Sequence, residues 1–422
     1  MNVSNILKTI NGYVWGGGLI FLLLSAGLIY TLKLRFIQFR MIPFLLKGKN
    51  NGESEKSGTG ISQLKTVTSS LGTAMGTGNI IGVASAIATG GAGSIFWMWV
   101  SAFFGMALVY AENYLGILYR RKKGGEWLGG AISYLKYGVG SDVLAVVFSV
   151  FCVLASWGMG GMVQSNSIGN AFYDFGADKY ITAFFIFLSV YAVVSGGIKR
   201  IGSATQIIIP VLTAIYIIIS IAVIINHREC LGGAFKEIFS SAFNFKSAGG
   251  YAVSVGIRRG IFSNEAGLGS SSIMHSACEE NEPSVQGMWS IFEVFLDTIV
   301  CCTLTALVLL VTDTYDINKA YGGNIFINIS VILFAFCTIT GWYYCGETSF
   351  RHISGGRYIK PYRFVFSVAV ASGAIFSLED VWTLSDIFNG LMALPNMIAL
   401  FALSGVVVKE TRDFFKAKKH LK

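Results

Sequence analysis

Charge is scarce in this chain. Only 13% of its 422 residues are Asp, Glu, Lys or Arg, against about a quarter in an ordinary soluble protein. Histidine is rarer, with four residues. Only His275 lies near the interior of an apolar run, and no Cys or acid stands at metal-ligand spacing from it. It reads as a helix-end residue, which leaves a membrane-embedded enzyme without its nucleophile–base pair or metal. The seven cysteines fall mostly inside apolar runs, at spacings that match no zinc or redox motif, so they read as buried thiols. No P-loop pattern is present, which argues against an ATP-driven pump. The opening MNVSNILKTINGYVW lacks the basic segment of a cleavable signal, so the first apolar run is taken as mature protein. The net charge of +9 does not imply nucleic acid, because the basic residues are scattered between apolar runs instead of forming one patch.

Long apolar runs are what the chain does have. It is 53% hydrophobic, with a mean hydropathy of +0.61. Runs near the ~20 residues that span a bilayer recur along its length. The fold class expected is an all-α polytopic membrane protein with about 11 transmembrane helices. The spans fall at residues 15–32, 72–93, 95–119, 143–165, 181–197, 204–225, 249–278, 287–311, 324–347, 362–376 and 381–408. Most Lys and Arg residues lie in alternate connections and in the basic tail 409–422, with a first polar connection around KGKNNGESEKSGTG. That bias sets the N-terminus outside and the C-terminus in the cytoplasm of a multi-pass cell-membrane protein.

Two spans do not read as clean helices. GTAMGTGNIIGVASAIATGGAG (72–93) is apolar but crowded with Gly, Thr77 and Asn79, and each Gly costs about 1 kcal/mol against Ala in a helix interior. GGYAVSVGIRRGIFSNEAGLGSSSIMHSAC (249–278) carries three expected interruptions: Arg258-Arg259-Gly260, Ser263-Asn264-Glu265, and Gly267 with Gly269. Non-helical backbone at membrane depth survives only when protein or a wet cavity satisfies it. The two stretches are spans two and seven, five apart. An odd offset makes the second block of five enter from the opposite side, as in an inverted-topology repeat with a shared midplane site. The division expected is 1–66 for the extra N-terminal helix and its connection, 67–228 and 229–408 for the two five-helix repeats, then the tail.

Several stretches are similar to one family. GTGNIIGVASAIATGGAGSIFWMW followed by GMALVYAENYLGILYR, WGMGGMVQSNS at 157–167 and RRGIFSNEAGLGSSSIMH at 258–275 resemble the alanine/glycine:cation symporters. So do QGMWSIFEVFLDTIVCCTLTA at 286–306, FCTITGWYYCGE at 336–347 and LPNMIALFALS at 394–404. The resemblance runs in order from about residue 12 to the tail. It implies sodium-coupled, sometimes proton-coupled, uptake of small amino acids such as alanine or glycine by alternating access. It also implies the ten-helix fold of the bacterial leucine transporter, preceded by one extra helix.

A small amino acid offers a carboxylate, an ammonium and a short side chain. The free N–H groups after the break in span two, with Gly76, Thr77, Gly78 and Asn79 there, suit the carboxylate. Gln164, Asn264 and Thr338 offer acceptors for the ammonium, and the resemblance supports them as pocket residues. It supports Trp342 too, which follows Gly341 and would bound the side chain; the alternative is an interfacial belt Trp. Phe262 is either pocket or core. Sodium, the expected coupling ion, takes hard oxygens. Thr77, Asn79 and Asn264 are candidates, with a weaker cluster at Thr73, Ser85, Thr338 and Thr340, each of whose hydroxyls otherwise turns back to the carbonyl one turn earlier. Five acids lie in or beside spans: Glu112, Glu265, Glu293, Asp297 and Glu347. Gating or structural pairing is expected of them before ligation, with Glu265 on Arg258 or Arg259, and with Glu112 and Glu347 at cytoplasmic span ends. No organic cofactor is expected. A channel or a membrane-embedded enzyme on the same architecture is the rival reading.

Overall fold

The computed structural model describes residues 3–47, 62–123, 126–173, 176–243, 249–323 and 325–420. Most of the polar connection after the first span, including Lys49 and Lys56, lies outside them. Helices account for nearly all regular structure. In chain order the site is framed by α1 (Gly17–Lys33), α2 (Gln63–Ala74), α3 (Ile81–Gly90) and α4 (Gly93–Leu118). Next come α5 (Asp142–Tyr173), α6 (Lys179–Val194) and α7 (Gly197–Asn226). They are followed by α8 (Gly249–Asn264), α9 (Ser270–His275) and α10 (Pro283–Val311). The last are α11 (Ile325–Ser354), α12 (Ile359–Gly373) and α13 (Leu378–Ala402). Side-chain caps start several of them. Ser62, Ser141 and Ser377 each accept a backbone N–H of the first turn, and Asp178 accepts two, which satisfies donors that a helix start otherwise leaves bare.

Seven helical stretches among the described residues are long and apolar enough to cross a bilayer. The remaining expected spans coincide with shorter or divided helices: α2/α3, α6, α8/α9 and α12. Side chains obey the inversion that lipid demands. Phe21 (72% exposed), Val143 (71%) and Ile207 (70%) face outward, an arrangement that water would penalise. Glu112, Asn113, Gln164, Glu265, Asp297 and Asn396 are buried.

Both divided helices are real, and their causes differ. α2 stops at Ala74, Gly76 adopts φ −117°, ψ −145°, and one 3₁₀ turn (Thr77–Asn79) precedes α3. In the second, α8 runs unbroken through Arg258-Arg259-Gly260 to Asn264. The interruption expected at 258–260 is therefore absent. Glycine there is a tolerated helix residue that packs on Ser101 and Met98, and both arginines reach toward Asp386 on α13, at 3.6 and 3.7 Å. The chain leaves the helix at Glu265 (φ +57°), Gly267 (φ +86°) and Gly269 (φ +81°). Three left-handed residues in five cannot propagate an α-helix.

Other boundaries move as well. α11 continues seven residues past Glu347, and the last expected span is two helices, α13 and Ser404–His420. A helix at Leu231–Ala242, not anticipated as an element, lies against α4, where a Cβ on Gly93 would meet the Ala242 nitrogen at 2.5 Å. α5 and α10 each contain a wide π-type turn, at Gly158–Met162 and Phe295–Cys302. Such turns gather at functional sites.

Gly269 and Gly91 separate strain from crowding. Both have positive φ, but a Cβ on Gly269 would sit 2.9 Å from the Ala131 Cβ, whereas Gly91 has open space. Gly91→Ala should carry only the backbone cost, about 1 kcal/mol. Gly269→Ala should lower the melting temperature clearly further in a thermal-shift assay. Equal losses would show that the second break is loosely packed.

Candidate substrate and ion site

The first break is held by α5 and α11. The Thr77 N–H and hydroxyl both donate to Gln164 Oε1, at 3.1 and 3.0 Å. Gln164 lies two residues past the wide turn of α5 and gives its own amide N–H to Met159 O (3.2 Å). Thr338 on α11 donates to Gly72 O at 2.9 Å. A Cβ on Gly76 would stand 2.6 Å from Thr338 Oγ1 and 2.8 Å from Gln164 Oε1, so only glycine permits this approach. Gly76, Thr77, Gln164 and Thr338 thus form one group.

Asn79 and Asn264 belong to a second group, facing α10. Asn79 donates to Asp297 Oδ1 (2.7 Å) and to Asp297 O (2.9 Å), while Thr305 donates to Asn79 O. Asp297 Oδ2 accepts the hydroxyls of Ser263 (2.7 Å) and Thr298 (2.8 Å). Asn264 donates to Thr298 Oγ1 (3.1 Å) and caps the break by accepting Ala266 N–H (3.0 Å). Asn79 Oδ1 is buried without a partner. No group of three or more His, Cys, Asp or Glu among the described residues is arranged to hold a metal ion. Hydroxyl, amide and single carboxylate oxygens are a hard donor set of the kind alkali and alkaline-earth ions take.

The weaker ion cluster is partly dispersed. Thr73 turns its hydroxyl back to Ser69 O (2.8 Å) and Thr340 to Cys337 O (2.8 Å), the local alternative for a helical Thr. Thr73 still touches α11, since a Cβ on Gly341 would collide with its hydroxyl. Ser85 is half-buried on α3, beyond the break.

The acids hold the breaks. Glu265 accepts the Trp342 indole N–H (2.8 Å) and the Ser270 hydroxyl (2.5 Å). It does not pair with Arg258 or Arg259, which point to Asp386, on the other side of α8's end. Glu112 is not a cytoplasmic-end residue either. It accepts Gly269 N–H (3.1 Å), a donor freed where the helix unwinds, and the side-chain amide of Asn396 on α13 (2.5 Å). Glu347 does meet Arg351, at 2.5 Å, at the end of α11. His275 is the last residue of α9, so its reading as a helix-end residue holds, but it is fully buried and lies 3.0 Å from Glu293 Oε2 and 2.9 Å from Ser70 Oγ. Trp342 is buried rather than interfacial. Gly160 makes room for it, since a Cβ there would lie 2.1 Å from the Trp342 Cβ.

An aromatic lid covers the other side. Phe262 stacks on Trp382 with ring centroids 4.4 Å apart, and the Arg259 guanidinium lies 4.1 Å from the Trp382 ring. Phe262 also borders Gly78, where an added Cβ would meet its ring at 3.4 Å. The residues that sequence reasoning passed over are Ser263, Trp382 and Asp386. Ser263 stood in a polar triplet read only as a break, and nothing in the sequence brings α13 next to α8.

Two facing breaks lined by donors and acceptors, inside helices sheathed in apolar side chains, define a membrane transporter. The comparisons with known proteins agree. The model of the sodium:alanine symporter family matches residues 1–422, and the chain belongs to that family. It is 41% identical to the sodium/alanine symporter AgcS of Methanococcus maripaludis, over 100% of this chain and 99% of that one. It is 34% identical to the probable sodium/glutamine symporter GlnT of Bacillus subtilis, over 99% and 92%. Among solved structures it is similar to the transporter MhsT in complex with L-phenylalanine, at a TM-score of 0.53 and 15% identity, over 84% of this chain and 99% of that one. At that identity the likeness speaks for the fold, that of the leucine-transporter-like carriers. The chain is a secondary amino-acid symporter of a membrane, not an enzyme.

Crowding at Gly76 gives a direct test. Gly76→Ala should weaken binding of labelled alanine at least about tenfold while the protein still elutes as a folded species. Removing the opposing hydroxyl with Thr338→Ala in the same chain should restore part of the loss. Unchanged binding in Gly76→Ala would remove this break from the site.

Proposed function

We propose that the protein couples the inward movement of sodium to the uptake of a small neutral amino acid, alanine or glycine, across the cell membrane. The observation that carries the reading is the pairing at the first break. Gln164 Oε1 accepts the two Thr77 donors, standing where a substrate carboxylate would be received. Arrival of the amino acid would displace the Gln164 oxygen and free it for the ammonium. The carboxylate would gain the Thr77 N–H and hydroxyl in its place. The crowding of Gly76, Thr338 and Gln164 favours a side chain no larger than a few heavy atoms.

Sodium is assigned to the neighbouring group. The unpartnered Asn79 Oδ1 lacks a donor, and an alkali ion would supply it with positive charge. Asp297, bonded to both Asn79 and Ser263, would supply the remaining side-chain oxygens together with Ser263, beside the carboxylate of the passenger. The ion therefore orders both breaks, and the amino acid meets a prepared site. With 100 mV across the membrane, each sodium contributes about 2.3 kcal/mol, enough for roughly fifty-fold accumulation.

Alternating access follows from what lies on either side. The Phe262–Trp382–Arg259 stack and the Arg258/Arg259–Asp386 pair would close the outer path, with N-terminus outside and C-terminus in the cytoplasm. Glu265, Glu112 and their donors would hold the inner half-helix α9. The 67–228 and 229–408 blocks are read as the inverted repeats that rock about this midplane. The cavity beside the breaks holds about 10 Å³, too little for a continuous water-filled pore, which favours a carrier over a channel.

Purified protein in liposomes should take up labelled alanine only with an inward sodium gradient. Asn79→Ala should raise the sodium concentration for half-maximal uptake by about tenfold or more, and Asn264→Ala should abolish uptake with folding retained. Uptake that ignores sodium and follows a proton gradient alone would refute the assignment.

A further inference from the structure

We propose that the protein holds a second sodium site one turn of α10 before Asp297, built around Glu293 in the small cavity between the half-helices and α10. It rests on the transport reading above and adds an ion to it.

Three carboxylates line this cavity: Glu265, Glu293 and Asp297, together with Ser70, Asn264 and Ser290. No Lys or Arg is among its lining residues. Two of the acids are already satisfied. Glu265 receives Trp342 on one oxygen and Ser270 on the other. Asp297 receives Asn79 on Oδ1 and both Ser263 and Thr298 on Oδ2. Glu293 differs. Its Oε2 accepts the Ser70 hydroxyl at 2.7 Å and faces His275 Nε2 at 3.0 Å, but its Oε1 is buried with no partner. The residue is 5% exposed. A desolvated carboxylate oxygen without donor or cation is costly in an apolar surround.

The neighbours are arranged to admit a cation instead of a donor. The Gln286 amide nitrogen lies 2.7 Å from His275 Nδ1; with that amide donating, the imidazole proton sits on Nε2, facing Glu293 and Ser70. In that tautomer the imidazole is neutral and brings a hydrogen bond but no charge. Ser70 donates its proton to Glu293, and Ser290 donates its own to Gly287 O at 2.8 Å. Each hydroxyl oxygen keeps acceptor capacity, with Ser70 Oγ also 2.9 Å from His275 Nε2. Glu293 Oε1, Ser70 Oγ and Ser290 Oγ are hard oxygen ligands. The volume of about 10 Å³ is that of a single water or bare ion, too small for any amino acid.

The ligands also explain what the ion would do. Ser70 belongs to α2 and Glu293 to α10, and His275 closes α9. A sodium here ties the half-helix before the first break to α10, whose Glu293 also holds His275 at the end of the half-helix after the second. Its departure would release both.

Equilibrium binding of radioactive sodium to the purified full-length protein tests this, with an alanine-binding assay in parallel. Wild type should titrate with a Hill slope approaching about 2. Glu293→Gln should reduce the slope to about 1 and halve the sodium bound at saturation, while high sodium still supports alanine binding. Ser290→Ala, which keeps the carboxylate, should weaken the second sodium several-fold and serves where Glu293→Gln fails to fold. A wild-type slope of one, or a stoichiometry unchanged in both variants, overturns the second site. So does a Glu293→Gln effect on pH dependence without loss of sodium, which would make Glu293 a proton carrier. In either case sodium-driven alanine uptake would stand, whereas uptake indifferent to sodium would remove the transport reading itself.

Discussion

A peptide group that leaves a helix inside a membrane must find a partner within the protein, because lipid offers none. The rest of the structure follows from that requirement at two places. At the first break the partner is a glutamine oxygen from α5, which answers Thr77. At the second it is a buried glutamate from α4, which answers Gly269, with Asn396 bridging the same carboxylate to Gly267 O at 2.9 Å. Partners supplied from other helices make the breaks stable without making them permanent. A passenger that brings a better acceptor or donor can take the place of the protein's own.

The side chains around the breaks divide into braces and substitutes. Trp342, fixed on Glu265 and seated where Gly160 lacks a side chain, is a brace. Glu347 is another: it gathers Arg351 (2.5 Å) and Arg363 (3.6 Å) at the end of α11. On the transport reading proposed above, Gln164 is of the other kind, its oxygen holding the two Thr77 donors that a substrate carboxylate would take. Wide turns accompany both breaks: Gln164 lies two residues past the one in α5, and Asp297 lies within the one in α10.

Much of this was legible in the sequence. Gly-rich interruption of apolar runs located both breaks, since glycine density is a local signal and the bilayer forbids most alternatives. Gln164, Asn264 and Thr338 were found through motif similarity. The errors came where partners are distant in sequence. Arg258 and Arg259 looked like a disruption because their counter-charge, Asp386, lies more than a hundred residues away. Glu112 looked like a span-end residue because its partners are a backbone N–H exposed by a break in another helix and a side chain of α13. His275 looked peripheral because the short α9 hides how deeply its end is buried. Periodicity reports which face of a helix is apolar, but not which neighbour a polar group will meet.

The central claim is that the break in the first divided helix receives the amino acid in place of Gln164. Its most direct measurement is an electron cryo-microscopy structure of the protein in nanodiscs with sodium and alanine, beside one with neither. The account predicts alanine with its carboxylate on the Thr77 N–H, the Gln164 amide turned toward the ammonium, and Met75 to Asn79 still outside the α-helix. Alanine bound elsewhere, with the Thr77–Gln164 pair intact, or a continuous helix through residues 63–90, would contradict it.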